Sequence, residues 1–200
     1  MIAVLDYGIG NLRSAQKGLE KVGADARLTA DPAVVAAADG IVLPGVGAFG
    51  PCMAALRGAG LEGPATDAIG RGVPFLGICV GMQMLYEGSE EDADTAGMGV
   101  LPGTVRRLPG GVKRPQMQWN RLDLIAETPL LDGLGDPAWV YFVHSYAPEP
   151  SPEVVATCDY GGPVVAAVAR GSLWATQFHP EKSSTTGLRL LANFAAAAAA

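Results

Sequence analysis

Cys79 stands in "PFLGICVGMQMLYEG", between Gly77 and Gly81, where an apolar run gives way to helix-like spacing. A G-x-C-x-G at a strand–turn–helix junction is the cysteine form of a nucleophile elbow. The two glycines lack Cβ atoms, so the chain can turn sharply and neighbouring backbone can approach closely. A residue at such a turn projects from the carboxyl end of a strand, where open α/β sheets place their ligands. The expected helix "VGMQMLYE" begins just beyond, and the free N–H groups and dipole at its amino end favour a thiolate. The Val80 amide would then point at an oxyanion developing on an attacked carbonyl. The competing reading is a buried, inert thiol, the ordinary state of free cysteine. For Cys52 and Cys158, which lie in no comparable context, that is the reading we adopt.

A thiol that attacks an acyl group needs a base, and the chain has two histidines, His144 in "YFVHSYA" and His179 in "TQFHPEKS". In extended backbone residues i and i+2 face the same way, so Glu181 stands beside His179. Pro180 between them has a fixed φ and no N–H, which stiffens the spacing. A carboxylate held against one ring nitrogen fixes the tautomer and stabilises the imidazolium. His144 has no carboxylate near it in sequence and reads as a core or pocket-wall residue. "LPGVG" follows an apolar strand, so Gly45 and Gly47 can bring backbone amides to the same sheet edge; standing alone it would read as a plain turn. Gln83 lies four residues beyond Cys79, on the same face of the expected helix.

These residues need a sheet edge to stand on, and the first half of the chain supplies one. "IAVLD", "ARLT", "GIVLPG" and "VPFLGI" are strand-like; helical patterns lie between them at Asn11 to about Val22, at "PAVVAAA", and around Phe49–Leu56 and Ala65–Gly70. Continuous apolar strands alternating with helices argue for a parallel sheet covered on both faces. The second half offers "GVLPGTVRRL", "WVYFVHSYA", "EVVATCDY", "PVVAAVARG" and "LWATQFH", short strands punctuated by Gly, Pro or Asp. They predict a partly antiparallel extension of that sheet, closed by a helix with Leu188, Leu191 and Phe194 on one stripe. Residues 1–200 read as one α/β domain.

The bulk properties narrow the function. Net charge is −6 and the 14 Lys+Arg are scattered, whereas phosphate-backbone binding needs a concentrated basic face, so nucleic acid is excluded as a partner. No apolar run approaches the roughly 20 residues that span a bilayer, so no membrane role is expected. "MIAVLDYG" lacks a basic leader region and reads as a strand, and a cytoplasmic location with reduced thiols is the expectation. Three cysteines without CxxC spacing indicate neither a disulfide framework nor a metal site. "GIGNLR" lacks the third glycine of a dinucleotide fingerprint, and no cofactor is expected.

"PFLGICVGMQ" with "QFHPEKS" resembles the class I glutamine amidotransferases, in which Cys, His and Glu form a triad in that chain order. "DYGIGNLRS", "LPGVGAFG", "YFVHSY" and "FHPEKS" together look more narrowly like the glutaminase subunits of imidazole glycerol phosphate synthases. The resemblance spans nearly the whole chain. It implies a flavodoxin-like, mostly parallel sheet and hydrolysis of L-glutamine to glutamate and ammonia. The ammonia would pass to a (β/α)8-barrel cyclase subunit of a heterodimer making imidazole glycerol phosphate in histidine biosynthesis. It implies Cys79, His179 and Glu181 as the triad, Val80 with Val46 or Gly47 as oxyanion donors, and Gln83, Glu91, His144, Ser145 and Tyr146 around the substrate's α-amino and carboxylate groups. Asn11, Trp119 and Lys182 are expected to face the partner. By the same resemblance, hydrolysis would be slow in the lone subunit and rise when the cyclase binds.

One segment departs from the family pattern. "PQMQWN" has Gln116 where His is usual and Gln118 where Gly is usual, and a required positive φ at Gln118 would strain the chain. The rival functions are a glutaminase for another ammonia-dependent synthase, such as GMP synthesis, and a non-catalytic binding subunit of the same fold.

Overall fold

The structure is a computed structural model describing all 200 residues. Its strands are β1 (Ile2–Leu5), β2 (Ala26–Thr29), β3 (Gly40–Gly45), β4 (Phe75–Cys79), β5 (Gly88–Ser89), β6 (Asp92–Ala96), β7 (Thr104–Arg107), β8 (Gln116–Arg121), β9 (Asp123–Leu124), β10 (Trp139–His144), β11 (Tyr146–Pro148), β12 (Val154–Asp159), β13 (Pro163–Arg170) and β14 (Leu173–Thr176). The helices are α1 (Leu12–Lys21), α2 (Pro32–Ala36), α3 (Phe49–Gly58), α4 (Glu62–Gly70), α5 (Val80–Gln83) and α6 (Ser184–Ala198).

Eight strands form the main sheet in the order β2-β1-β3-β4-β14-β13-β12-β9. From β2 to β14 every pairing is parallel, and from β14 outward every pairing is antiparallel. The parallel strands β1, β3 and β4 are buried along their whole length, as a sheet covered on both faces requires. The predicted antiparallel extension is therefore present in β12 and β13. "LWATQFH" gives β14, which joins β4 in parallel and β13 antiparallel, and the edge strand β9 lies outside the predicted strands. Two other predicted strands go elsewhere. "GVLPGTVRRL" contributes β7 to a four-stranded sheet, β11-β7-β5-β6. "WVYFVHSYA" breaks at Ser145; β10 pairs with β8 in a separate ribbon and β11 joins β7. Period-2 spacing reports which face of a strand is apolar, and says nothing of the sheet it joins.

Helix α1 buries Ala15 and Leu19 as its spacing predicts. On α6 the buried stripe is Gly187, Leu190, Leu191 and Phe194, with Leu188 only half-buried. No helix is long and apolar enough to cross a membrane.

At the end of β4, close backbone approach governs the local sequence. A Cβ on Gly81 would collide with the Leu43 carbonyl oxygen, and one on Gly45 would lie 2.6 Å from the Gly81 nitrogen. Both neighbours are main chain and cannot swing aside. Gly81→Ala should therefore cost at least the 1–3 kcal/mol typical of overpacking, roughly, read as a lowered midpoint in urea unfolding.

Candidate active site

Cys79 is the last residue of β4 and the N-cap of α5, with φ 57° and ψ −114°. A non-glycine residue at positive φ costs about 1–3 kcal/mol and persists only where its surroundings over-determine it. Here Gly77 beneath and Gly81 beyond let β3, β4 and α5 pack closely enough to impose it; a Cβ on Gly77 would lie 3.0 Å from the Gly81 carbonyl oxygen. The sulfur is thereby held at the carboxyl end of the parallel strands. One expectation needs correction. The predicted helix "VGMQMLYE" is a single turn, Val80–Gln83, so no long dipole backs the sulfur. What remains is the local cluster of unpaired N–H groups at its start.

Val46, Gly47, Cys79, Val80, Gln83, Glu91, His144, Ser145, Tyr146 and His179 all line one cavity of about 270 Å³, completed by Pro115 and Val143. A larger hollow of about 760 Å³ along Leu124–Gly135 contains no cysteine or histidine and lies apart from this chemistry. Gly47 has φ 99°, a conformation open to glycine, which lets the loop after β3 turn beside the elbow. Glu91 lines the cavity while its Oε2 accepts from the Phe49 amide at 2.8 Å, at the start of α3.

His179 follows β14 and is 2% exposed, as is Glu181. The ring's Nδ1 donates to Glu181 Oε1 at 2.8 Å, and Asn11 Nδ2 donates to the same oxygen at 3.0 Å. With Nδ1 thus engaged, Nε2 is buried and has no hydrogen-bond partner of its own. Burial opposes a charged ring, but the adjacent Cys79 sulfur and the Glu181 carboxylate outweigh it and push the His179 pKa up to about 9. Burial likewise opposes the charged Glu181, yet the His179 ring and the Asn11 amide hold its pKa below the usual carboxylate range. The site thus favours a proton on the ring and none on the carboxylate.

His144 is the opposite case. Burial, and to a lesser degree the neighbouring His179 charge, depress its pKa to about 4, so the ring is neutral. Its Nδ1 lies 2.8 Å from the Tyr146 carbonyl, which only accepts, so the proton is on Nδ1. Nε2 must then accept, which requires the Gln116 side chain 3.0 Å away to present its amide N–H there. Gln116 is wholly buried, with its side-chain oxygen on that side and its nitrogen 3.7 Å from the Cys158 sulfur. A neutral ring therefore needs the amide turned end for end, which sets its oxygen toward the Cys158 thiol, itself able to donate. Gln118 lies in β8 at a negative φ, so the strain expected there is absent.

Asn11 turns its side-chain amide inward onto Glu181, so its predicted partner-facing role does not come from that amide. Lys182 is exposed, and Trp119 is 44% exposed on β8. One buried residue escaped the sequence reading: Gln177, whose Nε2 lies 3.7 Å from the Cys79 sulfur. Pro180–Lys182 form a short 3-10 turn rather than the expected extended chain, so Glu181 meets His179 through that turn and not by strand alternation. Gln177 lies just beyond the end of β14.

The class I glutamine amidotransferase family model matches residues 3–198. The chain belongs to that family. Among curated class I amidotransferase relatives, imidazole glycerol phosphate synthase subunit HisH of Syntrophotalea carbinolica is 51% identical, with 97% of this chain and 98% of the relative aligned. The HisH subunit of Synechococcus elongatus is 53% identical over 100% of this chain and 94% of its own length. A crystal structure of a glutamine amidotransferase shares the fold at a TM-score of 0.76 and 22% identity, covering 100% of this chain and 99% of its own. The PurLQS structure from Thermotoga maritima does so at 0.73 and 20%, covering 96% of each chain.

In this amidotransferase chain the ring proton should be lost late. Nuclear magnetic resonance of the His179 ring is expected to give a midpoint near 9 in the unmodified protein. Cys79→Ala, which removes one of the two groups that raise it, should bring the midpoint down.

Proposed function

We propose that the chain hydrolyses L-glutamine at Cys79 and delivers the ammonia to a (β/α)8-barrel cyclase subunit that makes imidazole glycerol phosphate. The observation that carries this reading is the single cavity shared by nucleophile, base, oxyanion loop and substrate-facing residues, in a chain about half identical to HisH subunits.

The Cys79 thiolate attacks the side-chain carboxamide carbon of glutamine, forming a C–S bond and a tetrahedral oxyanion. Val80 N–H, together with Val46 or Gly47 N–H, stabilises that oxygen; one such donor contributes about 10²–10³ in rate. The His179 imidazolium gives its Nε2 proton to the nitrogen as the C–N bond breaks, and ammonia leaves. Proton donation by a placed acid is worth about 10²–10⁴. Water then attacks the thioester, His179 Nε2 takes its proton, the C–S bond breaks, and glutamate and the thiolate are released. Glu181 keeps Nε2 aimed at the cavity throughout by holding Nδ1. Gln83, Glu91 and His144–Tyr146 surround the substrate's charged α-groups.

The partner surface lies on the ribbon of β8 and β10. Trp119 pairs across the ribbon with Tyr141, their rings 6.1 Å apart in an edge-on arrangement. Met117 and Trp139, 62% and 48% exposed, extend the same outward face. An exposed aromatic cluster of this kind suits the centre of a protein interface. Lys182, beside the His179 segment, adds a charge near it.

Steady-state ammonia release with and without the cyclase tests the reading. Hydrolysis should be slow alone and rise on binding. Cys79→Ala should lower it by at least about 10³-fold, as for a lost nucleophile, while Cys52→Ala and Cys158→Ala retain it. Trp119→Ala should weaken cyclase binding roughly tenfold or more, as for an interface anchor, in titration calorimetry. Equal losses in all three cysteine variants, or cyclase product formed from glutamine without this chain, would sink the proposal.

A further inference from the structure

Gln177 is wholly buried one residue after β14, and its side-chain nitrogen lies 3.7 Å from the Cys79 sulfur, within hydrogen-bond reach. Side-chain amides can be flipped without changing their shape, so the first question is which end faces the sulfur. The surrounding bonds answer it. The Tyr146 carbonyl only accepts, so the Gln83 atom 3.0 Å from it must be the amide nitrogen. That same nitrogen lies 3.0 Å from the Gln177 side chain, which must therefore offer its oxygen. With the oxygen committed to Gln83, the Gln177 N–H group is the end left for Cys79. A flip of either glutamine would set donor against donor or acceptor against acceptor inside a dry cluster.

From this we infer that Gln177 is a dedicated hydrogen-bond donor to the nucleophile, stabilising the Cys79 thiolate and fixing its direction. The inference rests on the reading of Cys79 as the nucleophile and extends it. A bond from a neutral amide to an ionised acceptor is stronger than one to the thiol, so the donor favours the charged form. The need is local. The helix after Cys79 is one turn, so few amide N–H groups back the sulfur. The His179 ring stands beside it but must give its proton away during turnover, whereas the Gln177 N–H keeps its own. The Val143 carbonyl, 4.0 Å from the sulfur, is an acceptor that does nothing for a thiolate. Gln177 also ties the nucleophile to the substrate side, because Gln83 bonds both Gln177 and Tyr146, and both Gln83 and Tyr146 line the cavity. A change at Gln177 should therefore act first on the sulfur and only secondarily on substrate affinity.

The experiment measures the rate at which iodoacetamide alkylates Cys79 as a function of pH, with the adduct located by mass spectrometry in the full-length chain. Gln177→Glu keeps the oxygen that Gln83 requires and removes the N–H. Gln177→Met removes both polar ends at similar volume. Each variant should slow alkylation of Cys79 about tenfold near neutrality and displace its pH profile toward higher pH. In complex with the cyclase, kcat should fall about tenfold with KM within about twofold. An unmoved alkylation profile in Gln177→Glu, with melting temperature and cyclase binding preserved, would overturn the inference. So would a loss expressed wholly in KM. If Gln177→Met does not fold, Gln177→Leu, which also lacks the N–H and adds no charge, takes its place. Failure of iodoacetamide to modify Cys79 in the unaltered protein would instead strike the nucleophile assignment itself.

Discussion

The positive φ of Cys79 is the constraint on which the rest of the site depends. A side chain there can be held only if the chain before and after it is pressed from both sides. That pressing comes from β3, whose Leu43 carbonyl and Gly45 meet the turn where Gly81 has no side chain. The parallel register Gly45↔Cys79 then places the loop carrying Val46 and Gly47 beside the sulfur. Strain at one residue and proximity of the oxyanion loop are two results of the same packing. The strand pair that bends the chain at Cys79 also brings the amides of the Val46–Gly47 loop.

Charge follows from a second piece of geometry. His179 and His144 both face the cavity and both are buried, yet they end in opposite protonation states. The difference lies in what each ring nitrogen meets. His179 has a carboxylate on one side and a sulfur on the other, so the proton stays. His144 has a carbonyl and an amide, neither charged, so burial decides and the ring is neutral. Two chemically identical side chains thus rest in opposite states, one holding its proton and one neutral.

The sequence disclosed the parts of this arrangement that depend on neighbours along the chain. The elbow, the i, i+2 pairing of His179 with Glu181, and the alternation of buried strands with helices are all short-range patterns. What it withheld depends on distant segments meeting. Asn11 reaches Glu181 across 170 positions, and Gln177 reaches Cys79 across 98. No spacing rule bridges such gaps. The length of α5 was misjudged for a related reason. "VGMQMLYE" has ample helix propensity, but after Gln83 the backbone is drawn into turns, where Met84 and Leu85 accept from Met98 and Leu101. Tertiary bonds overrode local preference.

The ribbon of β8 and β10 is one strand-pair thick, and its pleat gives its two sides different work. Inward it presents Gln116 and His144 to the buried cluster; outward it presents Met117, Trp119, Tyr141 and Trp139 to solvent. The Tyr141 carbonyl also accepts from the His179 amide, and the Tyr141 amide donates to Ser183 Oγ. A partner docked on the outer aromatics, as proposed, would therefore push on a partition whose other side is the cavity holding Cys79, and whose frame is hydrogen-bonded to the His179 segment. Docking and chemistry need no long wire between them, because they share a wall.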